Sequence, residues 1–187
     1  KYSIIKSEVM KNRLAIIGCG NIGLSLLQGL LKDKTIPAGN ITVTRRNIDE
    51  LSYLTDTGVK LTSDNVRAVQ DSDLVVIAVK PYNIVTILEE IKDHLNPRNH
   101  ILVSVTAGLT IQEIQEQIKV PLSVFRAMPN ISATVRKSVS CICHNDVRKD
   151  DVESVKKLFN SLVITMIIDE ELMQSATILG ACGVAYV

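Results

Sequence analysis

LAIIGCGNIGLSLLQGLL, residues 14–31, is the stretch whose reading decides the fold. Leu14 to Ile17 is a short apolar run, which suits a strand buried on both faces. Gly18-Cys19-Gly20-Asn21-Ile22-Gly23 follows and matches G-x-G-x-x-G. Beyond it Ile22, Leu26, Leu27, Leu30 and Leu31 share one side of a helix. Each glycine has a separate physical task in that setting. Gly18 permits a tight turn, Gly20 leaves out a Cβ where a pyrophosphate would approach, and Gly23 lets the helix close on the strand. The N–H groups at the start of the helix would then face phosphate. Three glycines in an ordinary turn would fit the same letters, but not the same place between a buried strand and an amphipathic helix.

The alternation continues outward from this unit. Pro37-Ala-Gly-Asn40 marks a turn, and Ile41 to Thr44 reads as the second strand. A helix from about Ile48 to Thr55 and a brief strand near Val59 to Leu61 come next. Leu74 to Val79 is the clearest buried strand, and Ile84, Leu88, Ile91 and Leu95 recur behind it at helical spacing. Ile101 to Val105 is another strand. Thr110 and Glu113 then stand at capping-box positions before Ile111, Ile114 and Ile118. Leu122 to Arg126, Val139 to Cys143 and Ile164 to Ile168 read as further strands. A helix opens at Asp150 to Glu153, and another begins near Glu170. Repeated strand–helix units predict an α/β fold: a Rossmann-like, doubly wound, mostly parallel sheet with helices on both faces.

Composition limits what else the chain can be. Of its 187 residues 46% are apolar and 3% aromatic, so aliphatic side chains must fill the core. A net charge of +1, from 21 basic and 20 acidic residues, gives no reason to expect nucleic acid or a membrane as partner. No apolar run approaches the ~18 residues of a membrane helix. The four cysteines (Cys19, Cys141, Cys143 and Cys182) form no C-x-x-C pair, and His94, His100 and His144 complete no metal spacing, so no metal is expected. Cys141 and Cys143 would share one face of a strand as small buried side chains. Free thiols suit a reducing cytoplasm.

The second strand ends in Thr44-Arg45-Arg46-Asn47. A nicotinamide enzyme that uses NAD usually carries an acidic residue there for the ribose 2′-hydroxyl. Two guanidinium groups instead suit a 2′-phosphate, which favours NADP over NAD. Asp49 and Glu50 come slightly later, at the start of the next helix.

Further segments carry a family resemblance: Gly58-Val-Lys-Leu-Thr62 with Asn65, Asp73-Leu-Val-Val-Ile-Ala-Val-Lys-Pro81, Ser104-Val-Thr-Ala-Gly108, Arg126-Ala-Met-Pro-Asn130, and Asp169-Glu-Glu-Leu-Met173 running into Ala176 to Val187. In this order the chain resembles the pyrroline-5-carboxylate reductases, from Leu14 to Val187. The resemblance implies NADPH-dependent reduction of a cyclic imine acid, 1-pyrroline-5-carboxylate, to proline. It implies that Gly18 to Gly23 hold pyrophosphate, that Arg45, Arg46 and Asn47 lie at the 2′-phosphate, and that Asn65 contacts the adenosine side. Val79, Lys80 and Pro81 would line the nicotinamide ribose, and Ala107 and Gly108 would lie beside the nicotinamide. Asn130, Cys182 and Gly183 would meet the substrate. Read without the resemblance, Lys80 is equally a surface lysine, and Asn65 belongs to a capping cluster, Ser63-Asp64-Asn65.

The chain departs from that family at Ile131-Ser132, Lys137-Ser138, Cys182 and Val184, positions that bear on the substrate more than on the cofactor. Cys182 reads as a free thiol beside the pocket, not a nucleophile, and no residue is assigned as catalytic. Residues 1–10 read as an N-terminal extension, 11–169 as the dinucleotide domain, and 170–187 as the opening of a helical dimerisation domain. On this reading the 187 residues bind NADPH but turn over little substrate, while the longer protein is a cytoplasmic homodimer or higher homo-oligomer. Two other readings stay open: a related dehydrogenase acting on β-hydroxy acids, and a non-catalytic NADP-binding module.

Overall fold

The computed structural model describes residues 13–129, 139–160 and 164–178. Strands β1 (Leu14–Ile17), β2 (Ile41–Thr44), β3 (Lys60–Thr62), β4 (Leu74–Ile77), β5 (Ile101–Ser104), β6 (Ser123–Pro129), β7 (Val139–His144) and β8 (Ile164–Ile167) join one sheet in the order β3-β2-β1-β4-β5-β6-β7-β8. The first six pair in parallel. Strand β7 runs antiparallel to β6, and β8 runs parallel to β7. The helices are α1 (Asn21–Asp33), α2 (Asn65–Gln70), α3 (Ile84–Ile91), α4 (Ile111–Ile118), α5 (Lys149–Asn160) and α6 (Met173–Thr177). The doubly wound, mostly parallel expectation therefore holds.

Alternation along the central strands divides the core. Leu14 and Ile16 of β1 and Val76 of β4 face Leu26, Leu27 and Leu30 of α1. The same layer takes in Val155, Leu158 and Phe159 of α5. Ile17, Val75 and Ile77 face the opposite layer, built from Leu88 of α3, Ile114 of α4 and Met173 of α6. Burying one such aliphatic side chain contributes about 1.5–3 kcal/mol. Cys143 lies in the second layer with Cys141 packed beside it, so the shared face read from their spacing is present.

Several boundaries differ from the sequence reading, most by a single residue and three by more than an end shift of one. The helix read from about Ile48 to Thr55 is a 3₁₀ helix that runs on to Thr57. The Thr55 and Thr57 hydroxyls donate to the carbonyls of Ser52 and Leu54, three residues back, and Gly58 ends it at φ 83°. Strand β4 stops at Ile77 rather than Val79, and beyond it the Thr106 hydroxyl bonds the carbonyls of Ile77 and Val79. Strand β6 runs on to Pro129, since antiparallel pairing with β7 continues from Phe125↔His144 to Pro129↔Ser140. The capping box at Thr110 and Glu113 is complete.

The contact between α1 and β1 is set by a missing side chain. A Cβ on Gly23 would lie 2.7 Å from the Gly18 carbonyl oxygen and 3.2 Å from Cγ2 of Ile16. Around Gly20, by contrast, nothing lies within 4 Å of an added Cβ. Gly23→Ala should therefore cost about 1–3 kcal/mol as overpacking in thermal or urea unfolding. Gly20→Ala, whose backbone stays in the extended region, should leave the midpoint nearly unchanged. Equal losses for both would mean that the gap at Gly23 is not what seats the helix.

A second dependence concerns acid. Nε and Nη2 of Arg13 donate to the Asp73 carboxylate at 3.1 and 2.6 Å, joining the approaches to β1 and β4. Burial works to raise the Asp73 pKa, but the hydrogen bonds and charge of Arg13, with the charge of His100, outweigh it and hold the carboxyl below its ordinary value. A depressed folded pKa contributes stability above the unfolded value that is lost as pH falls through the folded one. Arg13 is half exposed, so the pair is worth at most about 1 kcal/mol. The stability gap between the native chain and Asp73→Asn should be present at neutral pH and close below roughly pH 4. A gap that does not vary with pH would rule out the ion pair as its source.

Candidate functional site

The loop after β1 is built by its backbone. Gly18 takes φ 89°, and its missing Cβ would lie 2.5 Å from Cγ1 of Val79, so glycine is required on both counts. The Gly18 and Cys19 N–H groups donate to the Thr44 carbonyl at 3.2 and 2.8 Å, tying the loop to the end of β2. Gly20 caps α1 with no side-chain hydrogen bond. The first N–H groups of this 13-residue helix are therefore open to an anion, at its positive end. Open space at Gly20, on the same exposed rim, fits the approach of a pyrophosphate. Asn21 is exposed, and Ile22 packs against the core.

Cys19 is buried, and burial pushes its thiol up to about 11, with the Arg45 charge pulling modestly the other way. The thiol stays protonated and unreactive at neutral pH. Its carbonyl accepts a hydrogen bond from Nη1 of Arg45 at 3.2 Å.

The end of β2 distinguishes the two arginines. Nη2 of Arg45 is paired with the Glu50 carboxylate, and Nδ2 of Asn47 donates to Glu50 Oε1 at 3.1 Å. Arg46 is exposed and has no partner among the described residues. Sequence reasoning treated Arg45 and Arg46 as equivalent. The role of Glu50 was hidden because an acidic residue five positions along reads as an ordinary helix-start residue.

Asn65 is not the cap of its helix. Asp64 is, accepting from the Arg67 N–H at 2.9 Å, so the cap sits one position earlier in the cluster. Oδ1 of Asn65 accepts from the Thr44 hydroxyl at 2.6 Å, and its Nδ2 donates to Glu90 at 3.0 Å. The Thr44 hydroxyl in turn accepts from the Gly18 N–H at 3.3 Å. One chain of bonds thus runs from the glycine loop through β2 to α2 and α3.

The loops after β4 and β5 complete the rim. Lys80 and Pro81 are exposed beyond the strand, and Val79 rests on Gly18. Ala107 and Gly108 are exposed after β5, with Gly108 at φ 111° and its Cβ direction 3.8 Å from Pro81 Cβ. The elements that sequence analysis assigned to a dinucleotide therefore come together at the carboxyl ends of β1, β2, β4 and β5. The sheet order reverses between β1 and β4, where α/β folds bind ligands.

Next to Ala107 and Gly108 opens a cleft of about 1030 Å³, continuing over β6 to the turn at Asp169–Glu171. Arg126 Nη1 and Glu170 Oε1 form an ion pair at 2.5 Å in its wall. The same Glu170 oxygen accepts the Ile111 N–H at 2.8 Å. One carboxylate therefore ties β6, the start of α4 and the segment after β8. No role was read for Arg126 or Glu170 from sequence, because 44 residues separate them. Asn130, Cys182 and Gly183 lie outside the described residues.

A family model described as NADP oxidoreductase, coenzyme F420-dependent, matches residues 13–108, from β1 to the loop after β5. Pyrroline-5-carboxylate reductase 1 of Dictyostelium discoideum is 32% identical over 191 residues, covering 96% of this chain and 34% of that protein. The second such reductase of that organism is 30% identical over 200 residues, covering 98% and 67%. Among solved structures, the Plasmodium falciparum pyrroline carboxylate reductase with NADP bound superposes with a TM-score of 0.81. It is 27% identical and covers 95% of this chain and 65% of its own. The chain thus spans from about a third to two thirds of the length of the relatives it matches. With 98% of its length aligned to a relative at 30% identity, and the glycine loop, the β2 rim and the β5 loop gathered at one sheet edge, this chain belongs to the pyrroline-5-carboxylate reductase family.

Proposed function

We propose that the chain holds NADPH along the carboxyl edge of its sheet. In the longer protein of its family, it takes part in reducing the C=N bond of 1-pyrroline-5-carboxylate to proline. The carrying observation is the cradle after β1: open space at Gly20 in front of an uncapped helix, with an exposed arginine, Arg46, that has no partner among the described residues just beyond the end of the neighbouring strand β2. Each residue has a physical task on this reading. Gly20 admits the pyrophosphate to the N–H groups of α1, and Arg46 receives the 2′-phosphate with a charge-assisted bond. Asn65 acts by holding Thr44 and the loop in register. Val79, Lys80 and Pro81 border the ribose on the nicotinamide side, and Ala107 and Gly108 open onto the cleft without bulk. A bound dihydronicotinamide supplies hydride to the C=N carbon, and the ring nitrogen takes up a proton. The walls contribute by orientation and by excluding water. The Arg126–Glu170 pair, only 17% and 31% exposed in its side chains, fixes that wall.

The substrate is a small imine acid, on the strength of the relatives' names and the cleft beside the nicotinamide position. NAD is the less favoured cofactor. Residues 170–187 would begin a second domain, and the full-length protein would be a homodimer or larger homo-oligomer. The exposed apolar side chains on the outer strand, Ile164 and Met166, support self-association. The protonated thiols of Cys19 and Cys143 suit a reducing cytoplasm. No helix among the described residues is long and apolar enough to cross a membrane.

Two measurements test this. Losing a hydrogen bond to a charged group costs about 1.5–3 kcal/mol, so Arg46→Ala should weaken NADP⁺ binding by roughly tenfold or more and leave NAD⁺ within about twofold. Equal losses would remove Arg46 from the 2′-phosphate. In the full-length protein, NADPH oxidation should begin on adding 1-pyrroline-5-carboxylate and yield proline. Tight NADPH binding without turnover of any cyclic imine acid would leave only a binding module.

A further inference from the structure

The side chains suited to a 2′-phosphate are largely engaged already. Arg45 spans from the Cys19 carbonyl to Glu50, and Asn47 bonds the same carboxylate. Of the three side chains at the end of β2, only Arg46 has no partner among the described residues. Asp49 and Glu50 together balance the charge of Arg45 and Arg46. Glu50 is about half exposed, so its carboxylate stands on the rim rather than inside the fold.

An anion already occupies the place where Arg45 and Asn47 would meet another. A 2′-phosphate, with a charge of about −1.5 to −2, must push that carboxylate aside or lie against it. A 2′-hydroxyl has the opposite relation to it. The hydroxyl can donate to Glu50, which then performs the task of the acidic residue at the end of the second strand in NAD-binding folds.

We propose that Glu50 is the residue that sets dinucleotide choice in this chain. It stands in for the 2′-phosphate at Arg45 and Asn47, accepts the ribose 2′-hydroxyl of NADH, and holds the preference for NADPH below what two free arginines would give. The proposal rests on the cofactor reading above. It assigns Arg46 the phosphate and Arg45 the tether between the glycine loop and Glu50.

The experiment compares dissociation constants for NADP⁺ and NAD⁺, by calorimetry at fixed ionic strength, for the native chain, Glu50→Gln and Asp49→Asn. Glutamine keeps an oxygen for Arg45 but removes the charge. Glu50→Gln should raise the NADP⁺:NAD⁺ affinity ratio by roughly tenfold, tightening NADP⁺ and weakening NAD⁺ together. A purely structural role would weaken both. Asp49→Asn changes the same charge one residue away and should keep the ratio within about twofold. An unchanged or lower ratio in Glu50→Gln overturns the proposal. So does an equal shift in Asp49→Asn, which would assign the effect to the general field. If neither the native chain nor its variants bind either dinucleotide, the cofactor reading itself is wrong. If both dinucleotides bind at one fixed ratio throughout, the role of Glu50 alone is.

Discussion

The rest of the molecule depends on how closely α1 can approach β1. At Gly23 the helix lies where a single Cβ would come 2.7 Å from the carbonyl of Gly18. That proximity lets Leu26, Leu27 and Leu30 cover the central strand. It also carries the start of the helix to the rim of the sheet, with its N–H groups facing outward rather than capped. The close packing and the placement of the helix start both follow from the missing side chain at Gly23. Were the helix displaced, core contact and the position of its open N–H groups at the rim would be lost together, since both depend on the approach to Gly18.

That placement is held by a line of polar contacts rather than by apolar packing alone. The Thr44 carbonyl receives two loop N–H groups, and its hydroxyl links Gly18 to Asn65, which reaches Glu90 on α3. Thr44 is almost fully buried, so its hydrogen-bonding groups could not be left unmatched without cost. The glycine loop is thereby registered against the second strand, whose next residues, Arg45 and Arg46, carry two positive charges. The cleft over β5 and β6 is organised in a similar way on the other side of the switch point, by Glu170.

Most of the fold was legible because its signals are local. The buried runs of β1, β2, β4 and β5, the glycine spacing and the Thr110–Glu113 box each occupy a few consecutive residues. Where the reading slipped, a distant or weak partner decided the outcome. Ile48–Thr57 closed as a 3₁₀ helix in which two threonine hydroxyls bond carbonyls three residues back. The length of β6 was set by a neighbour on β7. For the candidate site, the glycine loop and the rim positions were legible as a set, but the division of labour within it was not. Arg45 and Arg46 are alike as letters and differ only in that one side chain reaches Cys19 and Glu50. Arg126 and Glu170 meet across 44 residues, a separation that carries no periodicity to detect.

The strand order has a consequence for how the chain acquires its structure during synthesis. β1 lies between β2 and β4, and its second neighbour begins at Leu74, paired with Leu14. As the chain emerges, β2 and β3 can join β1 first, but the β4 side of β1 stays an open edge from Ile17 until Ile77, 60 residues on, has followed. That edge belongs to Leu-Ala-Ile-Ile, an apolar, uncharged run of the kind that pairs readily with foreign strands. At about 5–20 residues per second the exposure lasts several seconds. Non-local parallel pairing is also slow to form. The element that anchors the finished molecule is thus its most vulnerable one while the chain is being made, and shielding of the nascent β1 edge by a chaperone would matter most between the appearance of Leu14 and that of Ile77.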